Sequence, residues 1–137
     1  MKYFRLFMSA MLFLAFTNTY VMADDVEVDK LTKALTNYQN TGDVKNCITI
    51  RNIRSTDVID DQHILFKAGS GKAYLNKLPS HCPRLGIEKR IAYRATIGKL
   101  CNVDTITVLY PLSISSGPRC GLGKFEVYEK IPSEEKS

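Results

Sequence analysis

The feature that most constrains this chain is its set of four cysteines, Cys47, Cys82, Cys101 and Cys120, lying behind an export-type leader. Met1 to Arg5 carries two positive charges, Leu6 to Phe16 is apolar except for Ser9, and Val21-Met22-Ala23 places small residues where a signal peptidase cuts. A membrane anchor needs about 20 apolar residues, and the polar Thr17-Asn18-Thr19 ends this run too early. Residues 1–23 therefore read as a removable signal peptide. No cysteine precedes Cys47, so attachment of lipid to a cysteine just after the leader is closed. No transmembrane segment remains once the leader is removed.

Export places the thiols in an oxidising compartment, where small domains commonly depend on bridges worth roughly 2–4 kcal/mol each. An even number of cysteines favours two disulfides. The spacings of 35, 19 and 19 contain no C-x-x-C, which weighs against a zinc site. Three pairings are open, and the reading leans to Cys82 with Cys101 and Cys47 with Cys120.

The rest of the chain, with 45% apolar and 24% charged residues, has the composition of one small folded domain. Val28, Leu31, Ala34, Leu35 and Tyr38 recur at helical spacing before Gly42, predicting a short amphipathic helix within an N-terminal segment 24–45. A docking role for such a helix is less expected than packing on its own domain.

From Cys47 onward the pattern turns to period two and to β-branched residues. Asp60-Asp61-Gln62 separates Val58-Ile59 from His63-Ile64-Leu65-Phe66, and Gly69-Ser70-Gly71 separates Phe66-Lys67 from Ala73-Tyr74-Leu75, giving two successive hairpins. Arg90 to Thr96 sets Ile91, Tyr93 and Ala95 against Arg90 and Arg94. Thr105 to Tyr110 is the strongest strand, Ser113 to Pro118 reads as a loop, and Lys124 to Tyr128 is the last strand before a charged, frayed tail, 131–137. About five to seven short strands with turn signals between them predict a mainly β domain over 46–130: a small antiparallel barrel or sandwich with one N-terminal helix.

The chemistry-bearing residues form no catalytic, cofactor or metal signature. His63 and His81 are the only histidines, and no G-x-S-x-G elbow is present to pair with them. Asp57, Asp60 and Asp61 lack the oxygen-ligand spacing and bend glycine of a calcium loop, so a turn is the simpler reading. Gly69-Ser70-Gly71-Lys72 lacks the earlier glycine and the following Ser/Thr of a phosphate loop. Gly121-Leu122-Gly123 precedes a strand where a nucleotide motif would precede a helix.

Charge gives the one positive lead. The chain carries a formal +5, with Lys2 and Arg5 in the leader, and its basic residues concentrate in the middle while acids collect at the ends. Arg51, Arg54, Arg90 and Arg94 form a candidate patch for an anionic partner, an envelope protein or cell-wall component; a solvated strand face is the plainer alternative. Nucleic acid is disfavoured by the compartment. The expected function is a non-catalytic, disulfide-stabilised periplasmic or secreted binding module. Its rivals are a small exported hydrolase using His63 or His81 with a nearby Asp, and an inhibitor of an exported enzyme that inserts the loop Ser113 to Arg119.

Asn46-Cys47-Ile48, Ile53-Arg54-Ser55-Thr56, Val58-Ile59-Asp60-Asp61, Ile64-Leu65-Phe66, Tyr74-Leu75-Asn76-Lys77-Leu78-Pro79, Cys82-Pro83, Leu100-Cys101, Asp104-Thr105-Ile106 and Cys120-Gly121-Leu122-Gly123-Lys124-Phe125 occur in that order. Over Asn46 to about Val127 the chain resembles a family of small exported proteobacterial proteins classed as a domain of unknown function. The resemblance implies a bacterial periplasm and no particular activity. Where such proteins tend to show Cys-Pro-Gly-Leu and Cys-x-Gly-Asp, this chain has Cys82-Pro83-Arg84-Leu85 and Cys101-Asn102-Val103-Asp104.

Overall fold

A computed structural model of the chain describes residues 23–113 and 115–133. The signal peptide read over 1–23 falls outside these residues except for Ala23, and the last four tail positions also fall outside them. Among the described residues ten strands form three antiparallel sheets. The largest has the order β1 (Tyr38–Lys45), β10 (Phe125–Lys130), β5 (Lys72–Lys77), β4 (His63–Ala68), β3 (Ile53–Val58). Its centre comes from the two predicted hairpins, with Ile59 to Gln62 and a turn at Gly69–Gly71 as the connections.

The continuous apolar run Ile64-Leu65-Phe66 reflects burial on both sheet faces. Ile64 and Phe66 point into the main core with Tyr74, Phe125 and Val127, while Leu65 joins Ala73 and Leu75 on the opposite face. Alternation along a strand assigns neighbours to opposite faces, and here each face has its own apolar cover. The outer cover is α1 (Ala23–Leu35), which packs Leu31, Ala34 and Leu35 on that face. The predicted helix is thus present and lies across the sheet, but it stops at Leu35. From Tyr38 the chain becomes edge strand β1, with a bulge between Asn40 and Val44.

The main core is closed by the two smaller sheets. β2 (Cys47–Thr49) pairs with β7 (Lys99–Cys101), and β8 (Thr105–Leu109) lies between β6 (Ile91–Tyr93) and β9 (Ser116–Gly121). Ile106 and Val108 of β8 are fully buried, and Phe66 meets Tyr93 and Phe125 edge-on at 6.1 and 5.8 Å, binding the layers together. The architecture is a sandwich without barrel closure.

The favoured cysteine pairing is corrected. The bridges are Cys47–Cys101 and Cys82–Cys120. Antiparallel pairing of β2 with β7 puts Cys47 directly opposite Cys101. Cys82, in the segment after β5, is fixed by donation of its N–H to the Asp61 carbonyl and reaches Cys120 on β9. Sheet order, which spacing along the chain does not encode, decides the match.

The segment expected as a loop from Ser113 to Arg119 is also corrected, since its second half belongs to β9. A proline is compatible with a strand only at an edge or a bulge, and Pro118 has both, because β9 is an edge and its register with β8 shifts between Leu109 and Thr107. Gly117 permits the bulge: a Cβ there would lie 2.9 Å from the Tyr110 ring and from the Val108 carbonyl oxygen.

Candidate functional site

Asp57, Asp60, Asp61 and His63 make structural contacts, while His81 is exposed. Asp60, 3% exposed, accepts the backbone N–H groups of Gln62 and His63 and contacts His63 Nδ1 at 2.9 Å. It therefore closes the β3–β4 turn. Asp61 accepts the Gly86 N–H at 2.6 Å, and Asp57 pairs with Lys67. The hydrogen bond to Asp57 raises the Lys67 pKa above its ordinary value, against an opposing desolvation effect. The three carboxylates thus serve three separate partners. Among the described residues no hydrogen bond joins His63 to a hydroxyl or thiol, and no three His, Cys, Asp or Glu side chains are grouped to hold a metal ion.

Asp60→Ala is expected to lower unfolding stability by about 2 kcal/mol, because two backbone donors lose their acceptor in a buried turn. Urea denaturation measures this, and a loss below about 0.5 kcal/mol would refute the turn-closing role.

The arginines divide between sheets. Arg51 lies in a single 3-10 turn and Arg54 on β3, its guanidinium against Gly69; Arg90 precedes β6 and Arg94 follows it. Of these four, Arg94 lines an open trough of about 740 Å³ on the outer face of the β6–β8–β9 sheet. The trough also contains Arg119, the last residue of the segment expected as a loop.

Register builds this face. Ala92, Thr107 and Arg119 stand in one row across β6, β8 and β9. β6 ends at Tyr93, opposite Ile106, and the next residue, Arg94, lines the trough together with Thr105. Because Ile106 and Val108 point inward, Thr105, Thr107 and Leu109 point outward. Arg119 Nη2 donates to Thr105 Oγ1 at 3.3 Å, and Arg94 lines the same trough from the β6 side. Asp104 is the trough's carboxylate, and its Oδ2 accepts the Cys101 N–H at 2.7 Å. The ion pairs among the described residues are His63–Asp60, Lys67–Asp57 and Arg84–Glu88, leaving Arg94 and Arg119 without a carboxylate partner.

A second cleft, of about 580 Å³, lies between α2 (Leu85–Glu88) and the turn Tyr110 to Ser113. Its wall is Arg84, whose guanidinium stacks 5.2 Å from the Tyr110 ring centre and donates from Nε to Glu88 at 3.1 Å. The hydrogen bond and charge of Glu88 raise the Arg84 pKa above its ordinary value. Arg84 occupies the left-handed region at φ 66°, a conformation costing a non-glycine residue roughly 1–2 kcal/mol. The stack and the pair hold an arginine in this backbone shape.

Outward threonines at alternate positions of β8 are readable in the sequence as a hydroxyl-bearing face. Arg119 is not, because Gly117-Pro118 masks the strand that carries it. Among the described residues no helix is long and apolar enough to cross a membrane. No curated protein and no solved structure matches the chain. A model described as a family of unknown function, DUF6491, matches residues 1–123, and the chain belongs to that family.

Proposed function

We propose that the chain is an exported, non-catalytic periplasmic module that contacts an anionic component of the cell envelope through the outer face of the β6–β8–β9 sheet. The observation that carries this reading is that Arg94 and Arg119 line one open trough, Arg119 donating to Thr105, and that among the described residues neither forms an ion pair with a carboxylate. Two guanidinium groups lining one trough attract an anionic ligand, which accepts charge-assisted hydrogen bonds from them. The Cys82–Cys120 bridge ties β9, the strand that bears Arg119, to the segment after β5.

A charge-assisted hydrogen bond contributes about 1.5 kcal/mol or more, so Arg94→Ala and Arg119→Ala are each expected to weaken binding about tenfold. The measurement is co-sedimentation of the oxidised protein with isolated envelope fractions at about 0.15 M ionic strength, where casual surface attraction is screened. Equal retention of the parent protein and the double variant would overturn the proposal. Loss of retention on replacing His63 and His81, with the arginines intact, would move weight to the hydrolase reading.

A further inference from the structure

We infer that the trough's ligand is an acidic glycan, a sugar chain whose rings carry a carboxylate or a phosphate. The inference rests on the binding function proposed above and concerns what kind of anion the face accepts. The two arginines supply planar donor forks that fit either oxyanion. Around them the lining is rich in hydroxyls, from Thr96, Thr105, Thr107 and Ser116. A hydroxyl both donates and accepts, which matches the hydroxyls of a sugar ring and exceeds what a bare anion requires. Ala92 and Leu109 add small apolar surface on the same face, suited to the C–H side of a ring.

Shape points the same way. The face follows β8 from Thr105 to Leu109, four strand steps or about 13 Å, long enough for an extended oligomer and open along its length. An acidic peptide would satisfy the guanidiniums, but its backbone N–H and C=O groups would seek a strand edge. The trough is a sheet face, and the β8 ladder behind it is paired on both sides, to β6 and β9.

The test is an amide-shift titration of the oxidised protein by NMR with glucuronate, glucose 6-phosphate, glucose, inorganic phosphate and tetra-aspartate. Glucuronate or glucose 6-phosphate is expected to shift the amides of Arg94, Thr105, Thr107 and Arg119, at least tenfold more tightly than glucose or inorganic phosphate. The stronger of the two identifies a uronic-acid or a phosphorylated glycan. Arg119→Ala should weaken that binding about tenfold, Arg119→Lys should restore only part of it, and Thr107→Val should weaken the sugar acid while leaving inorganic phosphate unchanged. Unaltered melting temperatures establish that the variants fold. If tetra-aspartate or inorganic phosphate binds these residues as tightly as the sugar acids, the glycan inference falls and the anionic-partner reading stands. If no anion shifts them, both fall.

Discussion

Replacing Cys82 and Cys120 together by alanine is expected to lower unfolding stability by about 4 kcal/mol. The bridge closes 38 residues, and the chain-entropy relation gives about 4 kcal/mol for a loop of that size. Against the 5–15 kcal/mol typical of whole domains, this is a large fraction, and the melting temperature should fall on the order of 15 °C. Cys82 is fully buried in the main core beside Leu85, so the lost sulfur also leaves unfilled space. The bridge ties the segment after β5 to β9, the strand that carries Arg119 into the trough. Anion binding should therefore weaken before the fold is lost. Urea unfolding of the double variant measures the first effect; a loss below about 1 kcal/mol would mean that packing alone fixes β9.

The elements legible in the sequence are those whose residues answer to burial. β4 and β5 show it in Ile64-Leu65-Phe66 and Ala73-Tyr74-Leu75, β8 in the alternation of Ile106 and Val108 with threonines, and the turns in Asp60 and the Gly69–Gly71 segment. β1 gives no such signal. Its residues from Gln39 to Lys45 are all exposed, and its strand conformation comes from pairing with β10, a partner far along the chain. A helical spacing that continues to Tyr38 therefore overruns the true helix end at Leu35. Tyr38 packs on the same outer core as the helix, so its apolar contact is real while its backbone assignment differs. β9 is hidden for a different reason: Gly117-Pro118 has the chemistry of a turn, and only the edge position and the bulge make it a strand. The site inherits both difficulties. Arg94 stands out as a charge opposite Ile91 and Tyr93, whereas Arg119 becomes its companion only once the order β6-β8-β9 is known.

Gly123→Ala is expected to cost about 3 kcal/mol or more, while Gly121→Ala, two residues earlier in the same motif, should stay within about 0.5 kcal/mol. A Cβ on Gly123 would lie 2.0 Å from the Lys77 carbonyl oxygen, a backbone atom at the end of β5 that has no side-chain freedom with which to yield. On Gly121 it would meet nothing within 4 Å. The close approach at Gly123 is held by Asn76, a fully buried side chain on β5. Asn76 Nδ2 donates to the Gly123 carbonyl at 2.6 Å and its Oδ1 accepts the Gly123 N–H at 2.9 Å. Moving residue 123 away to admit a methyl group would strain both bonds to the buried Asn76 amide, and an unsatisfied buried polar group costs roughly 1–3 kcal/mol. Asn76→Leu should consequently destabilise by a comparable amount, and the double variant by less than the sum, since both changes break the same pair of bonds. Chemical denaturation of the four proteins measures this coupling. Equal effects at Gly121 and Gly123 would refute it, and with it the reading of Gly121-Leu122-Gly123 as a clamp that seats the β9–β10 connection on β5 and thereby sets the position of the strand bearing Arg119.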